Sequence, residues 1–135
     1  MKLLIIVCHL FTLNVKQQGN PEITDLIVTS KIPDDCKLLY LAVTIKESGW
    51  HNNKTAVLKN NYSGFIAKGV LKRFSSLNSY QTYVESWFKR KHIYNKTHLY
   101  KLLISGKYCV FNNNKERVAY INTVNQIQKQ ITWKK

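Results

Sequence analysis

Pro33-Asp34-Asp35-Cys36-Lys37-Leu38-Leu39-Tyr40-Leu41-Ala42-Val43-Thr44-Ile45-Lys46-Glu47-Ser48-Gly49-Trp50 is the stretch on which the reading of the fold turns. Proline followed by two aspartates starts a helix, because Pro suits its first turn and carboxylates suit the positive end of its dipole. From Leu38 to Ile45 the residues are apolar almost all round, which predicts a buried central helix. Gly49 is its natural terminator. Glu47 is thereby placed where a buried helix meets a loop. Apolar surroundings penalise a charged carboxylate and favour its use as a proton donor, with Trp50 close by in sequence. On position alone, an ordinary helix-end carboxylate in water is the simpler reading.

Around this stretch the chain reads as further helices. Asn20-Pro21-Glu22 is a second start, with Ile23, Leu26 and Ile27 on one face. Residues 50–76 lack helical spacing and predict a loop region, with a small hairpin around 64–74. Leu77, Tyr80, Tyr83, Val84, Trp87 and Phe88 share one helical face. A further helix runs from about Thr97 to a stop at Gly106, and a last one from about Lys115, with Val118, Ile121, Val124, Ile127 and Ile131 as its stripe. The expected fold class is mainly α: one helical domain over residues 20–135 with an irregular middle loop or small β-hairpin lobe.

With 135 residues and 44% hydrophobic content, the chain holds one globular core and leaves no room for a separate cofactor domain; no cofactor is expected. The formal net charge of +14 draws the protein towards polyanions, which include nucleic acid, envelope polymers and anionic membranes. Nearly all of the excess is Lys, whereas base-reading proteins lean on Arg. Cys8, Cys36 and Cys109 form no Cys-x-x-Cys pair; one disulfide is open to them, and three buried free thiols are the expectation. His9, His51, His92 and His98 show no metal spacing, so they are read as surface or packing residues and no metal is expected. Residues 1–19 form an apolar N-terminal segment, with Lys2 before Leu3 to Phe11. It resembles a short signal peptide interrupted by His9 and lacking a clear cleavage site. An uncleaved segment packed on the domain or a partner fits equally. It is far too short to span a bilayer.

Glu47-Ser48-Gly49-Trp50, followed by Asn60-Asn61-Tyr62-Ser63-Gly64-Phe65, resembles the signature of bacterial and phage peptidoglycan glucosaminidases of the flagellar-autolysin type. Gly106-Lys107-Tyr108, then Tyr120 with Val124, resembles that family's Gly-x-Tyr segment and closing helix. Phe74-Ser75-Ser76-Leu77 and the aromatic residues 80–88 stand where the family has its Tyr-x-Ser loop and following helix. The resemblance covers about residues 20 to 131. Each motif alone is weak; four in order and spacing are considerably stronger.

The resemblance implies a lysozyme-like fold and hydrolysis of β-1,4 bonds in peptidoglycan by an endo-N-acetylglucosaminidase. It implies Glu47 as the general acid and Tyr120 as the group that stabilises charge or orients a neighbour. Trp50, Asn60, Asn61, Gly64, Phe65 and Tyr108 would bind substrate, with the two asparagines closing the cleft floor through hydrogen bonds to loop backbone. The partners implied are glycan strands, with envelope or virion proteins besides. The location implied is the cell envelope, periplasmic or extracellular, or a phage virion.

Two departures stand out. The family more often has Phe-Gly-Ile where this chain has Ser63-Gly64-Phe65. Glycosidases commonly use two carboxylates about 5 to 9 Å apart, yet residues 48–84 contain no Asp or Glu. The second role then falls to the substrate's N-acetyl group, to water positioned by Tyr120, or to Glu116, or the enzyme is impaired. Two rivals remain: a basic nucleic-acid-binding module using Lys89-Arg90-Lys91-His92, and a structural virion component that keeps the fold with little or no activity. A solvated helix face explains Lys89 to His92 more simply than the first, and no specific nucleic acid is expected.

Overall fold

The computed structural model describes residues 19–131. The apolar segment expected over 1–19 lies, but for Gly19, outside them, as do Cys8 and His9. Among the described residues there are six helices and one two-stranded sheet, so the chain is mainly helical with a small β-hairpin.

Helix α1 (Pro21–Thr29) is capped by Asn20, whose side chain accepts from the Glu22 N–H at 2.9 Å. Helix α2 (Asp34–Ser48) is the centre of the molecule. Its buried residues include Cys36, Leu39, Tyr40, Leu41, Ala42, Val43, Thr44 and Ile45, which cover most of its circumference. Neighbours on several sides are needed to cover such a helix. They are α1, the later helix α5 (Lys96–Ile104) and, most extensively, the last helix α6 (Asn114–Gln130). Helix α4 (Leu77–Arg90) adds Tyr80, Val84, Trp87 and Phe88 to the same core.

The middle region is more regular than expected. Residues 54–59 form a short helix, α3 (Lys54–Lys59), where a loop is predicted. Its sequence has no long apolar period, and the helix is set at its ends instead: Asn53 accepts from Thr55 and Ala56 N–H, and Asn60 closes it in the left-handed region. The predicted hairpin is present as β1 (Ile66–Ala67) and β2 (Val70–Leu71), paired antiparallel around Lys68-Gly69. Both turn residues have positive φ, 52° and 76°, as a tight two-residue hairpin turn demands.

Two further expectations need correction. Val118 is 46% exposed rather than part of the α6 stripe. Residues spaced strictly by three drift about 60° per step around a helix, so 118, 121, 124 and 127 cannot share one face. Cys109 is only half-buried, whereas Cys36 is buried; both are free thiols. Burial pushes the Cys36 thiol up to about 12, with Asp35 adding to the effect. No helix among the described residues is long and apolar enough to cross a membrane.

Candidate active site

Glu47 lies in the last turn of α2, one residue before its end. The helix stops at Gly49, in the left-handed region at φ 56°, and the Gly49 and Trp50 N–H groups both close on the Ile45 carbonyl. Trp50 and His51 continue in the same region at φ 58° and 64°. Each costs roughly 1 kcal/mol or more for a residue with a Cβ. The surroundings over-determine the turn: Ser48 Oγ accepts from the His51 N–H at 3.2 Å, and the Ser48 carbonyl accepts from the Asn53 N–H at 3.0 Å.

The His51 ring is buried and wired at both nitrogens. Its Nδ1 accepts from the Asn20 N–H at 3.0 Å, so in this neutral ring Nε2 carries the proton. Thr44 Oγ1 donates to the Leu41 carbonyl and accepts from His51 Nε2 at 3.0 Å. Burial lowers the imidazole to about 4. This histidine therefore belongs to packing and ties the start of α1 to the end of α2.

Both oxygens of Glu47 meet groups that the fold supplies. Tyr120, from α6, donates its hydroxyl to Glu47 Oε1 at 2.7 Å. A methyl group placed on Gly64 would lie 3.3 Å from Glu47 Oε2, so the bare glycine leaves that oxygen room. Gly64 also has φ 66°, a conformation that favours glycine. Tyr120 is itself held, with Phe111 at 5.5 Å between ring centres and the Lys46 ammonium 5.3 Å from its ring. Its phenol is pushed well up, first by burial and then by the Glu47 carboxylate, so it stays a donor.

Ser63, just before Gly64, is anchored from beneath. Its hydroxyl lies 2.5 Å from both the Tyr40 and the Tyr80 hydroxyls, and Tyr108 donates to its carbonyl at 2.6 Å. Tyr40 and Glu47 are seven residues apart on α2 and so share a face, which stacks Ser63 and Gly64 along that face. The departure at Ser63 has a structural role here: a phenylalanine could not accept or donate in this buried triad.

Asn61 is buried and clamps the hairpin. Its Nδ2 donates to the Phe65 and Lys72 carbonyls at 2.9 and 2.8 Å, while its Oδ1 accepts from the Phe65 N–H at 3.1 Å. Asn60 donates to the Phe74 carbonyl at 3.1 Å. Both asparagines thus bond loop backbone.

A cleft of about 650 Å³ opens beside Glu47. Phe65, Tyr83 and Trp87 make its aromatic side, with ring centres 5.0 and 5.5 Å from Phe65. Ser63, Gly64, Tyr108 and Cys109 line it near Glu47, and Arg90, Lys91 and Lys107 supply its cations. Of the residues singled out from sequence, Glu47, Gly64, Phe65 and Tyr108 line the cleft, and Tyr120 reaches it through Glu47. Trp50, Asn60 and Asn61 are not among its lining residues; Trp50 packs against the core instead, because the left-handed turn carries it away with the chain. Burial, then the Glu47 carboxylate, raises the Cys109 thiol to about 11.

Glu47 is the sole carboxylate in the lining. Glu116 accepts from the Asn112 backbone and side chain at 2.9 and 3.2 Å and serves the start of α6, so it is not the second cleft carboxylate. Glu85 accepts from the Lys31 N–H and Asp35 from the Lys96 N–H, both away from the cleft. Among the described residues, no cluster of three or more His, Cys, Asp or Glu is placed to hold a metal.

Sequence reasoning missed Tyr83, Trp87 and Arg90 as cleft residues. The signal was there: they are spaced i, i+4, i+7 on α4. Tyr80, Trp87 and Phe88 of that helix are buried, and Tyr83 is half-buried. Compared with family models, curated proteins and solved structures, the chain gave no match.

Proposed function

We propose that the protein is a glycoside hydrolase acting on the N-acetylated glycan of peptidoglycan, with Glu47 as its general acid. The observation that carries this reading is the Tyr120–Glu47 hydrogen bond of 2.7 Å at the edge of an aromatic-lined cleft. Because Tyr120 donates to Oε1, the proton of a neutral Glu47 belongs on Oε2, the oxygen beside Gly64. Phe65, Tyr83 and Trp87 give the cleft an apolar wall that suits the C–H surfaces of pyranose rings, and polar groups near Glu47 suit their hydroxyls.

With one carboxylate in the cleft, the chemistry assigned is substrate-assisted. Glu47 Oε2 gives its proton to the glycosidic oxygen as the bond to the anomeric carbon breaks, and the leaving sugar departs as an alcohol. The carbonyl oxygen of the substrate's own N-acetyl group bonds to that carbon and forms a cyclic intermediate. Water then attacks the same carbon, the ring opens, and Glu47 takes the water's proton back. Such a substrate places the protein at the cell envelope or on a virion that meets it.

Digestion of purified peptidoglycan by the wild type and by Glu47→Gln, with mass analysis of the fragments, tests this. Reducing N-acetylglucosamine ends are expected from the wild type. The variant is expected to be slower by at least about a hundredfold, since a positioned general acid contributes roughly 10² to 10⁴. Equal release by the two proteins would overturn the role of Glu47, and a covalent sugar adduct on a carboxylate of the protein would overturn the substrate-assisted step. A second reading, a glycan-binding structural component, is favoured by the single carboxylate; it expects cosedimentation with sacculi and no soluble fragments from either protein.

A further inference from the structure

The cleft is electrostatically lopsided. Arg90 ends α4, Lys91 follows it, Lys107 precedes Tyr108, and all three exposed cations share the lining with one carboxylate, Glu47. None of them pairs with a carboxylate among the described residues, where the ion pair formed is Lys37–Asp34 at 2.7 Å. The other carboxylates nearest in sequence, Glu85 and Glu116, are committed to backbone N–H groups elsewhere. Arg90 is pre-positioned. Its Nη1 donates to Ser86 Oγ at 2.6 Å, and its guanidinium lies 5.0 Å from the Tyr83 ring centre. That stacking leaves most of its N–H donors for a ligand, in the planar fork that matches a carboxylate.

A neutral glycan makes no use of such a set. Chains of N-acetylglucosamine carry no charge, and three cations beside them gain nothing beyond ordinary hydrogen bonds. A glycan bearing carboxylates, on a lactyl ether or on an attached peptide, would gain from each cation and would keep those carboxylates away from Glu47.

We propose that Arg90, Lys91 and Lys107 form a subsite for a carboxylate-bearing substituent of the glycan, so that the cleft selects substituted over neutral chains. This rests on the glycan-cleaving reading of the same cleft. It adds that Glu47 marks the reacting bond while the cations set which sugars lie across it.

The test uses the full chain carrying Glu47→Gln, so that binding is read without turnover. Three glycans of equal sugar number are titrated: a neutral N-acetylglucosamine oligomer, a peptide-free strand with only lactyl carboxylates, and the same strand with its peptides. The substituted strands are expected to bind about fivefold or more tightly than the neutral oligomer, given up to about fivefold per exposed ion pair. Adding Arg90→Gln, Lys91→Gln and Lys107→Gln is expected to erase that difference, and a circular dichroism spectrum and melting temperature like the parent's check that the variant is folded. Added salt is expected to shrink the same difference. A gain with the peptide-free strand assigns the lactyl carboxylate, and a gain only with peptides assigns the peptide carboxylates; either supports the subsite. Equal binding of all three glycans, or a gain that survives the triple substitution, would overturn the subsite and leave the glycan reading standing. Binding of none would overturn both.

Discussion

Tyr120 shows how much rests on a single hydroxyl. On α6 it is spaced i, i+4, i+7, i+11 with Val124, Ile127 and Ile131, the three buried residues at the end of the chain described. That spacing puts it on the inward face, and the inward face of α6 meets α2 where Glu47 ends it. Removing the hydroxyl leaves the ring contacts with Phe111 and Lys46 and deletes only the donor to Oε1. Tyr120→Phe is therefore expected to lower kcat on peptidoglycan roughly ten- to a hundredfold, since a hydrogen bond to a charged group is worth about 1.5 to 3 kcal/mol. The same bond is lost from the folded protein, so its melting temperature should also fall by several degrees with the fold retained. Kinetics and a thermal melt on the same preparation check both. The place of Glu47 at a helix end and the bonds of Asn60 and Asn61 to loop backbone were legible from residue identity and spacing, whereas the absence of both asparagines from the cleft lining was not. Trp50 was not, because its side-chain direction is set by a left-handed turn of two non-glycine residues that no local preference favours.

At the scale of elements, asparagine does much of the organising. Asn20, Asn53, Asn95 and Asn113 cap four of the helices, and Asn61 holds the hairpin. Cap geometry gives each of these a specific backbone partner. Asn61→Ala is expected to destabilise the protein by about 2 kcal/mol, because it leaves the Lys72 carbonyl and the Phe65 N–H without their partner, while the Phe65 carbonyl keeps the Lys72 N–H. Denaturant unfolding followed by circular dichroism measures it. The turn after α2 carries a second expectation. His51 is held near 4 when folded and rises to about 6.5 when the chain unfolds. Between those values the unfolded chain binds the extra proton, so stability is complete above pH 6.5, falls as pH drops towards 4, and then flattens. The loss attributable to His51 is about 3 kcal/mol. His51→Gln should remove that part of the slope in a pH series of unfolding measurements. The short helix α3 was invisible in the sequence for a related reason: six residues held by caps carry no apolar period to read.

For the whole molecule, charge is the dominant property. A net +14 with one ion pair among the described residues means that repulsion has few local attractions to offset it. Raising salt from about 10 to about 300 mM, which shortens the screening length from about 30 Å to below 10 Å, is expected to raise the melting temperature by several degrees. A protein stabilised by surface ion pairs would respond in the opposite direction, and differential scanning fluorimetry across a salt series separates the two.

What the amino-acid sequence determined by itself is the mainly helical class, the central helix ending at Glu47, and the small hairpin. These depend on local apolar spacing, caps and turn residues, all of which are short-range. The tertiary structure alone decided which groups meet. It set Tyr120 against Glu47 across 73 positions, Ser63 between two tyrosine hydroxyls, and Arg90 in the cleft lining with Lys107. It also removed Trp50 and Glu116 from that lining. Long-range contacts of this kind depend on how whole faces of α2, α4 and α6 pack, and a one-dimensional pattern records which faces exist without recording which of them touch.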